Sequence, residues 1–378
     1  MLEHFMFKGT KKYGPQEFSR LIAQNGGNDN AMTHYDFTMY FEIIASDRVE
    51  IPVRLEADRM DGLLFDEREF KSELQVVKEE RRMRSEDNPA GALYENLTAM
   101  AYMAHPYKAP IIGWMSDLEG LARDDAVDYY KKYYIPNNVV IVMVGDFKQD
   151  EVLPLIQKHF GRKKRGPLPP ELATVEPSQE GERRFFLKKE AELPMIAVAY
   201  HAPNLRDNNG YALALLAVVL GEGKSSRLYK SLVIDKQLVL DVDVDYEWLS
   251  KDPNLFTIFM SVMPGKKPDE VENELYSELE KIKKSPPTVR ELEKAKNQLE
   301  AYFIRRQDSN YSRGLLLGQF EILGDWRLID KFIPGIRSVE ADQLQRVAQE
   351  FLIQDNRTVG ILIPKKEVMG DEVAKPVN

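Results

Sequence analysis

The residues of this sequence that could carry chemistry begin at its third position. Glu3 and His4 match the second half of the pattern H-x-x-E-H, in which two histidines one helical turn apart share one zinc ion. The glutamate of that pattern lies beside the metal-bound water, whose pKa zinc lowers to about 7, and can take its proton. The first histidine would occupy the position directly before Met1, which the sequence does not contain. We therefore expect most of a hydrolytic zinc site and the absence of one of its ligands.

A further ligand is expected from a second, strongly charged helix. A catalytic zinc ion uses three protein ligands and one open position. Because the chain has no cysteine, its metal ligands must be imidazole and carboxylate groups. Within the predicted helix from Glu67 to Arg84, Glu73 and Glu80 are two helical turns apart and share one face. This helix is therefore a candidate source of the carboxylate ligand.

Both features also have a purely structural explanation. The tripeptide Leu2-Glu3-His4 occurs by chance in many proteins, and a lone histidine is usually a surface or core residue without a metal. Acidic and basic residues that alternate along a helix are typical of a solvated face held by ion pairs. The second helix has such a run at Lys78, Glu79, Glu80, Arg81, Arg82 and Arg84. Spacing alone does not decide between the two explanations.

Length and charge limit the class of protein. A chain of 378 residues exceeds one ordinary hydrophobic core and predicts two domains of about 150–200 residues. The formal net charge of −9 argues against a nucleic-acid-binding protein and leaves a positively charged or extended peptide as a possible ligand. The sequence contains no apolar run long enough to cross a bilayer and no secretory signal. Since a cysteine-free chain is stable in reducing or oxidising surroundings, the compartment stays open between cytoplasm and periplasm.

A repeated unit divides the chain into two halves. In each half a helix is followed by a polar turn and then by an apolar strand that is expected to be buried. In the first half the helix, turn and strand are residues 123–134, 136–138 and 139–144. In the second half they are residues 341–352, 355–357 and 359–363. Asn138 and Asn356 fall at equivalent places, 218 residues apart. The order and spacing suggest a duplicated domain, although a coincidence of common units gives the same pattern.

Composition places a linker between the halves. Residues 161–184 contain a basic cluster and four prolines and show little apolar periodicity. We expect one domain at residues 1–160 and a second at residues 185–378. Other patterns predict a strand at Thr33–Ile44, a helix at Tyr211–Leu220, a strand at Asp241–Tyr246, and two helices within Pro268–Ile304 that are split by Ser285-Pro286-Pro287. The predicted fold class is α+β, with two similar domains that each have a mostly antiparallel sheet flanked by helices.

Several segments together resemble the pitrilysin (insulinase) family of zinc metallopeptidases. Residues 3–10 resemble the family's zinc helix and the Gly-Thr that follows it, and residues 73–80 resemble its distal glutamate segment. Further similar stretches are residues 30–33, 105–107 with Pro110 and Gly113, 134–138, 145–146 and 225–229. The resemblance covers essentially the whole chain.

The resemblance implies a role for each candidate residue. His4 and Glu80 would bind Zn²⁺, Glu3 would be the general base, and Glu73 would be a catalytic-site carboxylate that supports the ligands. A peptide would bind by adding a strand to the sheet edge formed by Asn30, Ala31, Met32 and Thr33. In this family two similar α+β domains, the second without metal ligands, form half of a clamshell whose chamber admits short or unfolded peptides.

The beginning of the chain departs from the family pattern. The leading histidine is absent, together with the stretch that supplies the opening strands of the first sheet and that could carry a targeting signal. Two ligands alone are expected to hold zinc weakly, because catalytic sites use three. Since the sequence retains Glu3, His4, Glu73 and Glu80, we expect a truncated or misassigned start rather than a natural variant that does not bind metal.

The second domain also departs from the pattern. Many relatives carry an arginine and a tyrosine seven residues apart that hold the substrate carbonyl and stabilise the oxyanion. Val233 and Leu240 occupy those places, and the nearby Arg227 and Tyr229 have the wrong spacing. In two-subunit members, such as the mitochondrial processing peptidase, a related subunit without zinc completes the chamber. We therefore expect the metal-bearing subunit of such a heterodimer, with a homodimer as the other arrangement.

The predicted function is a zinc-dependent endopeptidase, or its catalytic subunit, that hydrolyses extended or unfolded peptides. The alternative is a catalytically silent family member that acts as a structural or peptide-holding subunit. The sequence leaves open the natural substrate and the cleavage preference.

Overall fold

The computed structural model describes residues 1–365, and its first half is mostly helical around one small sheet. Strands β1 (Asn28–Thr33) and β2 (Thr38–Ile43) pair antiparallel, with Ala31 opposite Tyr40. Eight helices surround them: α1 (Leu2–Phe5), α2 (Glu17–Gln24), α3 (Glu50–Gly62), α4 (Glu67–Arg81), α5 (Pro89–Ala101), α6 (Met115–Gly120), α7 (Arg123–Tyr133) and α8 (Gln149–Phe160).

The second half contains a five-stranded sheet covered by helices. Its strands are β3 (Arg183–Lys189), β4 (Met195–Ala202), β5 (Val239–Tyr246), β6 (Asn254–Val262) and β7 (Arg357–Pro364). They lie in the order β3-β7-β4-β6-β5, and every neighbouring pair is antiparallel except β3 and β7. Six helices accompany the sheet: α9 (Gly210–Gly221), α10 (Pro268–Lys284), α11 (Val289–Arg305), α12 (Asn310–Leu323), α13 (Ile329–Ser338) and α14 (Ala341–Phe351). The predicted α+β class is confirmed.

A helix of the first half covers one face of this sheet. Alternate residues of β4 point to opposite faces, so Ile196 and Val198 join the core formed with α9, α10, α11 and α14, while Ala197 and Ala199 face α5. Leu93 and Leu97 of α5 are fully buried in that second cluster. A side chain at Gly360 of β7 would approach Leu93 Cδ1 to 3.0 Å and the Phe185 ring more closely. The small residues of β4 and β7 therefore let α5 pack directly on the sheet and join the two halves.

The repeated unit recurs in detail in the two halves. Helices α7 and α14 have the same length and begin and end 218 residues apart. The Asn138 side chain donates to Tyr133 O at 2.9 Å, and the Asn356 side chain donates to Phe351 O at 2.8 Å, again 218 residues on. A shared capping interaction at one offset supports two similar domains.

The predicted buried strand at residues 139–144 is wrong. The segment is not part of any strand within residues 1–365, and Val140 is 52% exposed. Its equivalent, β7, lies between β3 and β4 and is buried. An apolar run becomes a buried strand only where neighbouring strands accept and donate its backbone hydrogen bonds. The apolar run is visible in the sequence, but the lack of neighbouring strands in the described part of the chain is not.

The predicted strand at Thr33–Ile44 begins too early. Residues 34–37 form the turn between β1 and β2, in which His34 N donates to Phe37 O at 2.8 Å. The aromatic residues of the turn serve packing instead, since the Tyr35 and Tyr107 rings lie 4.9 Å apart. Aromatic enrichment reflects burial as well as strand formation, and here it indicated burial.

The other predicted elements are confirmed. Helix α9, the alternating strand β5, the split pair α10 and α11, helix α14 and strand β7 all form where the sequence placed them. The charged helix of the first half ends as α4 at Arg81 and continues as a wider helical turn over Arg82–Glu86. None of the helices within residues 1–365 combines the length and apolar character needed to span a membrane.

The segment predicted as a linker follows the surface of both halves. Residues 161–182 form no helix or strand, and β3 begins at Arg183, just before the predicted end of the linker. Glu176 accepts backbone hydrogen bonds from Met103, Ala104 and His105 of the first half at 2.6–2.8 Å. The domain bounds at residues 1–160 and 185–378 stay a prediction, and residues 366–378 lie outside the described part of the chain.

We expect the contact between α5 and the second sheet to stabilise the whole molecule. The substitution Leu97→Ala should lower the free energy of unfolding by about 2–5 kcal/mol, because Leu97 is fully buried and its removal leaves a cavity. Met100 lies on the same helix but is 41% exposed, so Met100→Ala should change stability by less than about 0.5 kcal/mol. Urea denaturation checks both values, and equal effects of the two variants would contradict this packing.

Candidate metal centre

Packing of α1 against α4 aims His4 at the candidate carboxylates. Phe5 is fully buried, with its ring stacked on Phe65 at 5.2 Å and tilted against Phe70 of α4 at 5.9 Å. The helical turn of α1 is closed by a hydrogen bond from Phe5 N to Met1 O at 3.1 Å. Since Phe5 anchors this turn, the adjacent His4 lies over the face of α4 that carries Glu73 and Glu80.

The two ring nitrogens of His4 contact different carboxylates. Nδ1 lies 2.8 Å from Glu73 Oε1, and Nε2 lies 3.5 Å from Glu80 Oε2. Burial acts to raise the pKa of Glu73, but hydrogen bonds from Lys8 and His4 outweigh it, so the pKa lies below its ordinary value. An ionised Glu73 can only accept, so the hydrogen of this contact is carried by His4 Nδ1.

These positions fit two ligands of one zinc ion. Zinc binds nitrogen and oxygen at about 2.0–2.2 Å, and tetrahedral geometry then places two ligand atoms about 3.3–3.6 Å apart. His4 Nε2 and Glu80 Oε2 already have that separation. A carboxylate on the other ring nitrogen, as Glu73 provides, is the usual support of a metal-binding histidine. Within residues 1–365, however, no three histidine, aspartate or glutamate side chains are grouped so that they could hold a metal.

The α-amino group of Met1 occupies the same acidic surroundings. Burial lowers the pKa of this amino group, and the charges of Glu3, Glu80 and Glu73 act against that shift. The other oxygen of Glu80, Oε1, forms an ion pair with Arg84. Arg84 lies four residues after Glu80, in the helical turn that follows α4. Arg84 therefore contacts the Glu80 oxygen that His4 does not face.

Glu3 connects the centre to the predicted peptide-binding strand. Its Oε2 accepts a hydrogen bond from the Thr33 hydroxyl at the end of β1. The helix α1 and the strand β1 are therefore held together at the residue predicted to act as the base. Thr33 is also the last of the four residues predicted to contact substrate.

The four predicted substrate-binding residues lie on a sheet edge. Asn30, Ala31, Met32 and Thr33 all belong to β1, whose only strand neighbour within residues 1–365 is β2. Ala31 N donates to the Asn30 side chain at 2.8 Å. An incoming strand would therefore compete with Asn30 for this backbone donor. The geometry suits addition of an extended chain beside Thr33 and Glu3.

The structure brings Lys8 into the centre, which the sequence did not predict. Lys8 Nζ lies 2.5 Å from Glu73 Oε2. The available signal was its spacing, because Lys8 follows His4 by four residues and so lies on the same side of the helical turn. Arg84 has the same relation to Glu80, although the sequence placed it on a solvated face.

Arg227 of the second half is held by a structural contact. Its Nε and Nη2 donate to the two oxygens of Glu291 at 2.7 and 3.1 Å, and Glu291 also caps the start of α11 through Thr288. Val233 packs against the main core and Leu240 is exposed. None of these groups forms the arginine–tyrosine pair that many relatives use.

Comparisons with known proteins identify the family. Residues 1–114 match the model described as insulinase (peptidase family M16), and residues 120–299 match the model described as the peptidase M16 inactive domain. The zinc protease PqqE of Helicobacter pylori is 32% identical over 370 residues, which cover 96% of this chain and 82% of that protein. The chain belongs to the insulinase family, peptidase family M16.

Further proteins are similar to most of this chain in sequence or in fold. The uncharacterized zinc protease YmxG of Bacillus subtilis is 27% identical over 94% of this chain and 85% of that protein. The crystal structure of a protease from Helicobacter pylori superposes with a TM-score of 0.92 at 32% identity, covering 96% of this chain and 88% of the other. A peptidase M16 inactive domain from Pseudomonas fluorescens superposes with a TM-score of 0.85 at 16% identity, covering 96% and 87%, and this likeness concerns the fold alone. The resemblance to the pitrilysin (insulinase) family and the two-domain α+β fold are confirmed.

We expect the ion pair between Arg227 and Glu291 to stabilise the folded chain by an amount that decreases at acidic pH. The Arg227 guanidinium lowers the pKa of Glu291 to about 2, whereas the pKa of a glutamate in the unfolded chain is about 4.3. The contribution is therefore fully present above about pH 4.3 and is lost as the pH falls towards 2. Arg227→Met should cost up to about 1 kcal/mol at pH 6, after allowance for solvent screening, and progressively less below pH 4.

Denaturant titrations at pH 6, 4 and 3 measure this difference. The matched control is Arg346→Met, which breaks an exposed pair with Asp342 and should cost little at any of these pH values. A cost of Arg227→Met that stays constant from pH 6 to pH 3 would contradict the assignment.

Proposed function

We propose that this insulinase-family chain is a zinc-dependent endopeptidase, or the catalytic subunit of one, that hydrolyses extended peptides. The supporting observation is the approach of His4 Nε2 to Glu80 Oε2 at 3.5 Å while Glu73 holds the other ring nitrogen. Relatives named zinc proteases, from Helicobacter pylori and Bacillus subtilis, support zinc as the metal. In this proposal His4 and Glu80 bind the ion, and Glu73 orients His4.

Each remaining residue of the centre has a role in handling the peptide or its protons. When bound, zinc lowers the pKa of a water molecule and polarises the peptide carbonyl. The Glu3 carboxylate would take a proton as the general base and pass it to the amine that leaves. The Thr33 hydroxyl donates to one oxygen of Glu3, so the other oxygen would be the one that takes the proton. Strand β1 aligns the peptide beside Glu3 by backbone hydrogen bonds.

A third protein ligand completes this proposal. A residue directly before Met1, in a continuation of α1, would lie one helical turn from His4 on the same face. We place a histidine there, because the H-x-x-E-H pattern of the family implies one at that position.

A homologous partner subunit is part of the same proposal. Val233 and Leu240 stand where many relatives carry the arginine and tyrosine that stabilise the oxyanion. The partner would supply these groups and close the chamber around the peptide. The competing function is a peptide-holding subunit without catalysis.

The test uses the chain extended so that a histidine stands directly before Met1, alone and with a homologue that carries the arginine–tyrosine pair. We expect one zinc ion per chain after dialysis, and cleavage of unstructured peptides. Glu3→Gln should keep the zinc and slow cleavage by about 10²- to 10⁴-fold, because it removes the base but none of the ligands. Zinc is measured by atomic emission and cleavage by mass spectrometry.

Glu79→Gln is the matched control. Glu79 is an exposed neighbour of Glu80 that pairs with Arg82, so its loss should leave zinc content and cleavage unchanged. A zinc-loaded protein whose Glu3→Gln variant cleaves at the original rate would refute the role of Glu3. A protein that holds no zinc with or without the added histidine would support the peptide-holding subunit.

A further inference from the structure

The turn between β1 and β2 is held at its tip by a buried tyrosine. Tyr107 is 4% exposed, and its hydroxyl oxygen lies 2.7 and 2.8 Å from the two side-chain oxygens of Asp36. Burial and the Asp36 carboxylate both raise the pKa of Tyr107, so its hydroxyl stays protonated and donates to Asp36. A hydrogen bond from a hydroxyl to a carboxylate is among the stronger ones that proteins form. No step of the proposed reaction uses this contact.

A loop of the second half contacts the same tip. Lys251 N donates to Asp36 Oδ2 at 2.9 Å, and Asp252 N donates to the Tyr107 hydroxyl oxygen at 3.2 Å. The rings of Tyr35 and Tyr107 lie 4.9 Å apart and add a contact between aromatic side chains. Asp36 is therefore the point at which the turn is joined to one loop of each half.

Strand β1 depends on contacts of this kind for its position. Within residues 1–365 it belongs to a sheet of only two strands, and a two-stranded hairpin by itself is marginally stable in water. The last residue of β1, Thr33, donates to Glu3. The turn that follows is held by Tyr107 through Asp36, three residues after Thr33. These two contacts together hold the end of the strand that lies nearest to the proposed base.

We propose that Tyr107 is a positioning residue that fixes the proposed peptide-binding strand β1 through Asp36. The strand would bind a peptide by backbone hydrogen bonds along its free edge, and these need donors and acceptors at fixed places. A strand whose end moves must first be ordered when the peptide binds, and this cost lowers the affinity. The role in peptide binding rests on the proposed function, whereas the effect of Tyr107 on β1 does not.

A simpler explanation is that Tyr107 only stabilises the fold, as other buried hydrogen bonds between the halves do. Tyr102 offers the matched comparison, because it is also buried and its hydroxyl donates to Asn254 Oδ1 of the second half at 3.1 Å. If Tyr107 is a general stabiliser, loss of either hydroxyl has the same consequences. If it is a positioning residue, loss of the Tyr107 hydroxyl alone increases local opening of β1 and β2.

The experiment measures backbone hydrogen exchange by mass spectrometry in the 378-residue chain. Tyr107→Phe keeps the aromatic ring and removes only the hydroxyl. Exchange in residues 28–43 should be about tenfold faster in Tyr107→Phe than in Tyr102→Phe, because only the first variant loses a hydrogen bond to the charged group at the turn. In helix α9, Gly210–Gly221, the two variants should exchange at equal rates. Equal exchange of the two variants in residues 28–43 would overturn the proposal.

Asp36→Asn tests whether Tyr107 acts through Asp36. This variant should also exchange faster than Tyr102→Phe in residues 28–43. Adding Tyr107→Phe to it should increase the rate by less than about twofold, because both changes weaken the same contact. A multiplication of the two single effects in the double variant would overturn the action through Asp36. If Tyr107→Phe does not fold, the comparison of Asp36→Asn with Tyr102→Phe decides whether the turn contact fixes β1.

Peptide kinetics separate this inference from the proposed function. In the chain with a histidine before Met1, together with the homologous partner, Tyr107→Phe should raise KM for an unstructured peptide about fivefold and change kcat by less than about twofold. The reason is that the strand edge binds the substrate and the transition state alike. An unchanged KM would overturn the role of Tyr107 in peptide binding. If no peptide is cleaved, the proposed function fails, while hydrogen exchange still decides whether Tyr107 fixes β1.

Discussion

The site depends on the packing of Phe5 between the aromatic rings beside α4. A helix of four residues such as α1 is not stable by itself in water. The conformational entropy lost in forming the first helical turn exceeds the stabilisation that its single hydrogen bond provides. Its position therefore comes from burial of Phe5 against Phe65 and Phe70. This contact places His4 over Glu73 and Glu80, and it places Glu3 beside Thr33. The proposed metal ligands, the proposed base and the proposed peptide-binding strand are thus arranged by one hydrophobic anchor.

Charge is balanced around this anchor without a metal. Half-buried carboxylates are costly unless cations face them, and here Lys8 faces Glu73 while Arg84 faces Glu80. His4 lies between these two pairs and contacts both carboxylates. The centre is therefore pre-organised, since the groups that orient His4 are already in place before any ion is added. A divalent cation would replace the weak contact between His4 Nε2 and Glu80 rather than require a new arrangement.

Contacts governed by local spacing could be predicted from the sequence, and contacts governed by distant neighbours could not. The face shared by Glu73 and Glu80 follows from helical geometry, and the capping of Asn138 and Asn356 follows from a repeat at one offset. By contrast, residues 139–144 have the composition of β7 but lie exposed, because burial of a strand depends on strands elsewhere in the chain. The partner of Arg227 is 64 residues away, and sequence patterns do not show it. Lys8 was missed for a different reason, since its spacing was visible but a lone lysine carries no chemical signature.

The most direct test is a crystal structure of the histidine-extended chain soaked with zinc, with diffraction recorded on both sides of the zinc absorption edge. Our account predicts one anomalous peak in the first half, about 2.0–2.2 Å from both His4 Nε2 and Glu80 Oε2, and its loss in Glu80→Gln. A zinc peak elsewhere, with His4 and Glu80 still in contact only with each other, would contradict it.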